Sequence, residues 1–489
     1  MAVMSDLKNK TIKGLTWGGA VSIFQQLIAL VFGILIARIL SPSDYGLVGV
    51  LTIFVSLASL LTESGFIFVL ANREGDNRRE YSTTFWFNVL MSLTMYIFLF
   101  AFAPQIAAFF GREELVSLSR YVFAGFLISS FGVVQSAYLF KRLMVRESGI
   151  AQILSTIISG FIGLMMALSG FGYWGIATQG VVASITRTGI LWYFSPFRPL
   201  LCFDRKFIRE TMSDGIRYTV PNLFGNISEN IYSVLLGKLY TVEDVGYYAE
   251  ANKFNTYGSI TISSMLRNVS QPMLVQIHNK NAKLSAFRKL FRLTCMLAFP
   301  ALFCLSFVAP EFIIVVLGEK WSGSIIIMRI LCLGGPFGVL CTLFSYYVVS
   351  ERRSNLYMWI GVSNSICLII VALIASHGGA LWLAAACTSL SVVFFCLYFI
   401  LTRDMSGYSV KMLLCDIVPV FVVIVMSIIF TKVLIYPISS SSLIVLFVKP
   451  LLVIVLFCLF ISFLHYDVFD ETYLFFKSKV RNLMKRMCR

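Results

Sequence analysis

The chain has 489 residues, of which 58% are hydrophobic and 13% charged, with a formal net charge of +16. That composition leaves too little polar surface to cover a water-soluble globule, so a soluble multidomain enzyme is excluded and lipid is the expected solvent. The basic excess does not indicate nucleic acid, because the Lys and Arg residues are segregated between apolar runs instead of forming a stripe.

In chain order, a basic N-terminus at 1–14 precedes apolar spans at 15–40, 45–70, 84–104, 115–139, 149–169 and 173–195. A linker at 196–212 leads to spans at 213–240, 246–276, 293–309, 325–349, 357–376 and 381–401. A further pair follows at 413–434 and 443–464, with a basic tail at 465–489. Each run approaches the roughly 20 residues that cross a hydrocarbon core, which predicts fourteen transmembrane helices. With the N-terminus inside, the cytoplasmic segments carry twenty-eight Lys and Arg and the outer segments two, Arg112 and Lys320. This asymmetry sets an N-in, C-in orientation. The first apolar run is too long for a signal-peptide core and is expected to persist as a helix. All eleven cysteines fall in spans or cytoplasmic segments, so structural disulfides are not expected.

The chain also repeats itself. Arg38 to Gly46, with Asp44, recurs as Lys238 to Gly246, with Asp244. Phe102-Ala-Pro104 through Glu113 recurs as Val308-Ala-Pro310 through Lys320, and Gly170 to Trp174 as Gly378 to Trp382. Two parallel six-helix halves, 15–195 and 213–401, are expected around a central cavity, with 413–464 as an extra helix pair. In Ser41-Pro-Ser-Asp-Tyr-Gly46, Pro42 and Gly46 suit a tight turn and Asp44 suits a helix cap. Phe312–Leu317 reads as a short interfacial segment with Trp321 at headgroup depth.

Charges inside spans are costly and are candidates for a cavity. Lys253 lies roughly 10 Å into its span, too deep to reach the interface easily. Arg38 and Lys238 occupy matching outer helix ends, where they either flank a cavity mouth or snorkel. Arg187, Arg217 and Arg267 lie nearer cytoplasmic ends and admit the same two readings, while Arg120, Arg329, Lys432 and Lys449 read as interfacial. Glu229 stands mid-span on a polar face with Asn222 and Asn226, either as an ion-coupling carboxylate or as an acid neutralised by a cation of the other half. Glu250, one turn from Lys253, is a coupling candidate or its ion-pair partner, and Glu63, close to a cytoplasmic end, could pair with a loop arginine. Trp17, Gln25, Gln26, Asn222, Asn226 and Tyr257 could engage sugars or simply hold helices together. A net-cationic polar cavity suits a substrate with an anionic head and a hydroxyl-rich body. No phosphate-binding Gly-Lys loop, HExxH or metal spacing occurs, so a transporter is expected rather than an enzyme, with no resident cofactor.

Lys13-Gly-Leu-Thr-Trp17, Ala37 through Leu47, Leu236-Gly-Lys238, Val245 to Tyr248, Pro300 and Leu317-Gly-Glu-Lys-Trp321 together carry a resemblance. The chain resembles the Wzx-type oligosaccharide flippases, WzxC-like branch, of the multidrug/oligosaccharidyl-lipid/polysaccharide exporter superfamily over residues 10–400. The resemblance implies a multi-pass bacterial inner-membrane transporter that moves undecaprenyl-diphosphate-linked oligosaccharide to the periplasmic leaflet, alongside a polymerase and other assembly proteins. It implies alternating access, diphosphate contacts from cavity cations such as Lys253 and Arg38, and coupling to H+ or Na+ through Glu229. A multidrug-type cation antiporter and a peptidoglycan lipid-precursor flippase are the alternatives. The orientation has a direct check: a single cysteine at Ser43→Cys should be alkylated from outside intact cells, and protection there would reverse it.

Overall fold

In hydrocarbon no water takes up an unpaired peptide group, so an apolar chain of this kind must close its backbone hydrogen bonds within each segment, which only helices do. The computed structural model describes residues 2–63, 77–142, 144–277, 279–351, 353–435 and 442–463, and among these it contains helices and no strand. The helices are α1 (Ala2–Ile39), α2 (Pro42–Gly49), α3 (Thr52–Glu63), α4 (Arg78–Phe110), α5 (Glu114–Lys141), α6 (Val145–Leu168) and α7 (Tyr173–Phe194). They continue as α8 (Arg205–Leu239), α9 (Val242–Gln276), α10 (Lys280–Phe312), α11 (Ser324–Ser350), α12 (Ser354–Ala375), α13 (Gly379–Ser406), α14 (Val410–Ile435) and α15 (Ser442–Phe463).

Ten stretches among the described residues are long and apolar enough to cross a membrane. Those expected at 357–376 and 381–401 fall in one continuous stretch, Asn355–Ser406, and α7, α8 and α9 fall outside the ten. Helices α8 and α9 are the least apolar of the long helices, a composition that suits a wall facing water or cargo more than one facing lipid.

The chain divides into two compact units, Met1–Ala249 and Glu250–Arg489. Within the first, α4 packs on α5, α5 on α7 and α7 on α6; within the second, α10 packs on α11, α11 on α13 and α13 on α12. The same side chain fastens the same step in each. Thr188 Oγ1 donates to the Ile128 carbonyl at 3.3 Å, and Thr388 Oγ1 to the Ile330 carbonyl at 2.9 Å. The close approach behind each bond is opened by a glycine, Gly132 against Thr188 and Gly334 against Thr388. The internal repeat is thus also a repeat of packing order.

Helix ends follow from local chemistry. Asn77, Asp204 and Asn279 cap α4, α8 and α10 by accepting from backbone N–H groups of the first turn. Helix α4 ends at Gly111, whose φ of 68° is the left-handed conformation that glycine adopts without Cβ strain. The segment after α7 is strapped along the start of α4. Leu200 N–H donates to Ser82 Oγ at 2.9 Å, Asp204 N–H to Thr83 Oγ1 at 3.0 Å, and Trp86 Nε1 to the Leu200 carbonyl at 2.9 Å.

Two sequence expectations change here. At 41–46 the N-cap is Ser41, not Asp44; Asp44 sits at the third helical position and returns the bond to Ser41 N–H at 2.9 Å, closing a capping box. Residues Ile313–Leu317 form one π-helical turn directly after α10, and Trp321 is fully buried instead of lying among headgroups, because it is held inside the second unit.

The most concentrated polar cluster sits where α14 meets α10. Asp416 is fully buried and accepts from Arg288 at 2.8 and 3.0 Å, from Arg292 at 2.6 Å and from Tyr408 Oη at 2.9 Å. A bidentate guanidinium with two further donors is what a desolvated carboxylate requires. Burial, with the Asp416 carboxylate beside it, raises the Tyr408 phenol far above its ordinary value. The Phe287, Phe291 and Phe399 rings around Tyr408 exclude water. At the far end of the helix pair, Lys449 on α15 meets Glu311 on α10 at 2.5 Å and lies over the Phe307 ring. Lys449 is therefore an interhelical partner near the end of α10. Replacing Asp416→Ala leaves two partly buried guanidinium groups without their anion. The expected loss is about 3–5 kcal/mol, seen as a lowered melting temperature of the purified protein in detergent; an unchanged melting temperature would show that the cluster does not fasten the helix pair.

Candidate functional site

The polar helices α8 and α9 carry most of the candidate residues. On α9, Glu250 and Lys253 are three positions apart and therefore share a face. Lys253 Nζ donates to Glu250 Oε1 at 3.0 Å and Oε2 at 3.3 Å. Glu250 is almost wholly buried, whereas the Lys253 side chain keeps 25% of its surface open. The pair is thus asymmetric: the carboxylate is sealed in the protein and the lysine side chain is partly open. Tyr257 lies one turn further along the same face and is half-buried. Behind them Asn255 and Ser259 point at Gly335 of α11, and Asn255 Oδ1 and Ser259 Oγ are buried with no hydrogen-bond partner among the described residues.

On α8 the amides turn back on their own helix. Asn226 Nδ2 donates to the Asn222 carbonyl at 3.0 Å and Asn230 Nδ2 to the Asn226 carbonyl at 2.9 Å. Each bond uses one of the two donors of its amide. Glu229, between them, is exposed and makes no hydrogen bond or ion pair among the described residues.

The remaining candidates are more dispersed. Arg38 is exposed in the last turn of α1, and Gln25 and Gln26 are half-buried further back on that helix. Arg187 is exposed on α7. Lys238, at the end of α8, donates to the Phe109 carbonyl at 2.6 Å and lies 4.6 Å from the Phe109 ring centre, so it serves the C-terminus of α4. The side chains of Trp17, Glu63, Arg217 and Arg267 lie outside the described residues. Arg120 is half-buried with its guanidinium 4.4 Å from the Phe100 ring centre.

Two cavities of the second unit escaped the sequence reading. A cleft of about 1100 Å³ at the ends of α10, α11 and α13 is lined by Lys280, Lys283, Arg353, Glu351 and Asp404, with Lys283 paired to Glu351 at 2.6 Å. A smaller pocket of about 250 Å³ lies midway along α11, α12 and α13, and its lining includes Thr342, Ser345, Asn364, Ser391 and Tyr398 without a charge. Scattered hydroxyls give no sequence signal, since most serve as helix glue.

Comparison with known proteins gives these features a context. Residues 35–326 match the family described as "Polysaccharide biosynthesis protein". The chain is 25% identical over 417 residues to the teichuronic acid biosynthesis protein TuaB of Bacillus subtilis, covering 84% of this chain and 85% of that one. It is 24% identical to the lipopolysaccharide biosynthesis protein WzxC of Escherichia coli (68% and 70% covered) and 23% identical to the succinoglycan biosynthesis transport protein ExoT of Rhizobium meliloti (66% and 66%). In fold it is similar to the lipid II flippase MurJ in an inward closed conformation, with a TM-score of 0.72 at 14% identity over 93% of this chain and 99% of that one. An inward-facing multidrug MATE transporter of the MOP superfamily gives 0.61 at 16% identity, covering 78% and 94%.

The Glu250–Lys253 contact has a quantitative check. A double-mutant cycle with Glu250→Gln and Lys253→Met should return a coupling of about 1–3 kcal/mol in unfolding experiments. Additive single effects would mean that the pair is not made.

Proposed function

We propose, taking as premise that this chain belongs to the polysaccharide biosynthesis protein family, that it is a flippase for undecaprenyl-diphosphate-linked oligosaccharide. It is a multi-pass protein of the bacterial inner membrane with the fold of the MOP superfamily. In this reading fourteen helices run N-in and C-in, and two six-helix halves alternate access to a cavity from the cytoplasmic to the periplasmic leaflet. The product feeds O-antigen, capsule or exopolysaccharide assembly by a polymerase and its partners. The names of the relatives TuaB, WzxC and ExoT support the polysaccharide class.

The observation that carries the reading is the partly open Lys253 side chain on a polar helix, backed by a buried carboxylate. Glu250 holds the cation in place at a depth where an isolated charge would be costly, yet leaves part of its donor capacity for an anion. A diphosphate fits that donor. Arg38, Lys238, Arg187, Arg217 and Arg267 supply further positive potential, and Gln25, Gln26, Asn222, Asn226 and Tyr257 offer acceptors and donors to sugar hydroxyls. Glu229, exposed and unpaired among the described residues, is the coupling site for H+ or Na+. The same carboxylate favours a second reading, exchange of a cationic drug for an ion, as in the multidrug branch of the fold. Peptidoglycan lipid precursor is the competing cargo within the flippase reading.

Lys253→Ala should abolish surface polysaccharide and accumulate lipid-linked repeat units on the cytoplasmic leaflet, with the protein at its normal level in the membrane. Wild-type polysaccharide in that strain would remove Lys253 from the mechanism. Export unaffected by Lys253→Ala together with loss of drug resistance in Glu229→Gln would favour the antiporter.

A further inference from the structure

The repeated motif at 41–46 and 241–246 does more than turn the chain. Both copies build the same capping box: Asp244 Oδ2 accepts from Thr241 N–H at 3.2 Å and from Thr241 Oγ1 at 2.8 Å, as Asp44 Oδ2 does from Ser41 N–H at 2.9 Å and from Ser41 Oγ at 2.6 Å. The two copies then pack on each other, inside the first unit. A methyl group built on Gly46 would overlap the Val242 carbonyl, 2.6 Å from its carbon, and one built on Gly246 would overlap the Pro42 carbonyl, 2.8 Å from its carbon. Each glycine thus lies on the first helical residue of the other motif. Neither glycine has a positive φ, so close approach and not backbone freedom is the reason for glycine at both places.

The contact continues on either side. A Cβ on Gly49 would stand 3.1 Å from Val245 Cγ1, and Val245 is fully buried. Gly237, at the end of α8, approaches Val50 Cγ1 and the Phe110 ring, while Lys238 ties α8 to the Phe109 carbonyl. The polar ends of four helices, α2, α4, α8 and α9, are therefore interlocked on the side that the charge distribution marks as external.

We propose that this reciprocal glycine interlock is the outer gate: its two turns are closed on each other here and separate when the transporter opens to the outer leaflet. The proposal rests on the flippase reading for its role, but the gate itself is testable without cargo. Two close-packed backbones give a two-position device, because a contact at carbonyl distance is either made or lost and has no soft intermediate.

The Gly49–Val245 geometry suits a cross-link, since the Cβ-to-Cγ1 distance stands in for the Cβ-to-sulfur distance across a disulfide. In a cysteine-free background, Gly49→Cys with Val245→Cys should form a disulfide under mild oxidation, stop export, and recover export on reduction. A full-yield disulfide with undiminished export would overturn the gate. Separately, Val245→Cys alone should be protected from a membrane-impermeant maleimide added outside, and adding Gly46→Ala or Gly246→Ala should raise its labelling several-fold. Adding Gly180→Ala, where a Cβ meets nothing within 4 Å, should leave labelling low and the protein at its normal membrane level. Equal protection in the Gly46→Ala and Gly246→Ala backgrounds would overturn the interlock. The labelling result holds whether or not lipid-linked saccharide accumulates, so failure of the cargo reading and failure of the gate are distinguishable.

Discussion

A polar group inside hydrocarbon has to find its partner within the protein, and this constraint organises the chain at every scale. At the backbone it selects helices. At the level of hydroxyls it sends Ser and Thr back onto their own helix, as in Thr84 to the Glu80 carbonyl at 2.9 Å and Ser427 to the Val423 carbonyl at 2.7 Å, so that an apolar surface remains for packing. At the level of charge its solutions in the second unit include Asp416 with two guanidinium groups and a phenol, Glu311 with Lys449, and Glu250 with Lys253. The first is closed on all sides, whereas the last leaves its cation partly open.

Much of this architecture could be read from residues because the physics behind it is periodic or additive. The positions of the apolar runs survive as helices, and the repeat noticed in short motifs reappears as a repeated order of helix packing with Thr188 and Thr388 in matching roles. The proximity of Glu250 and Lys253 follows from helical spacing alone. What depends on long-range partners was not readable. Asp416 is a lone acid near the start of an otherwise apolar run, Leu413-Leu-Cys-Asp416-Ile-Val, which is a visible signal, but its partners lie 124 and 128 positions away. The position of Trp321 just past a span suits a headgroup, and position does not distinguish a residue facing headgroups from one buried against other helices. Glycines 46 and 246 have a local explanation in the turn, which concealed the tertiary reason for them.

The two halves of the proposed mechanism make opposite demands on packing. Cargo binding requires polar, incompletely satisfied side chains on α8 and α9, which lowers the packing energy available to those helices. The interlock near the α8–α9 turn requires close backbone contact with no side chain intervening. Placing both on one hairpin allows a weakly apolar pair of helices to be held by its end instead of its length, leaving the length free to meet a substrate.

The helix pair α14–α15 is fixed to α10 at two separated points, Asp416 near one end and Lys449 near the other. Two attachment points oppose rotation as well as separation of the three helices. Many side chains of α14 and α15 are exposed and apolar, among them Phe430, Phe447, Leu451 and Leu459. In the proposed alternating-access cycle, a tilt of α10 would push aside the lipid around two extra helices, and the viscosity and thickness of the bilayer would enter its cost.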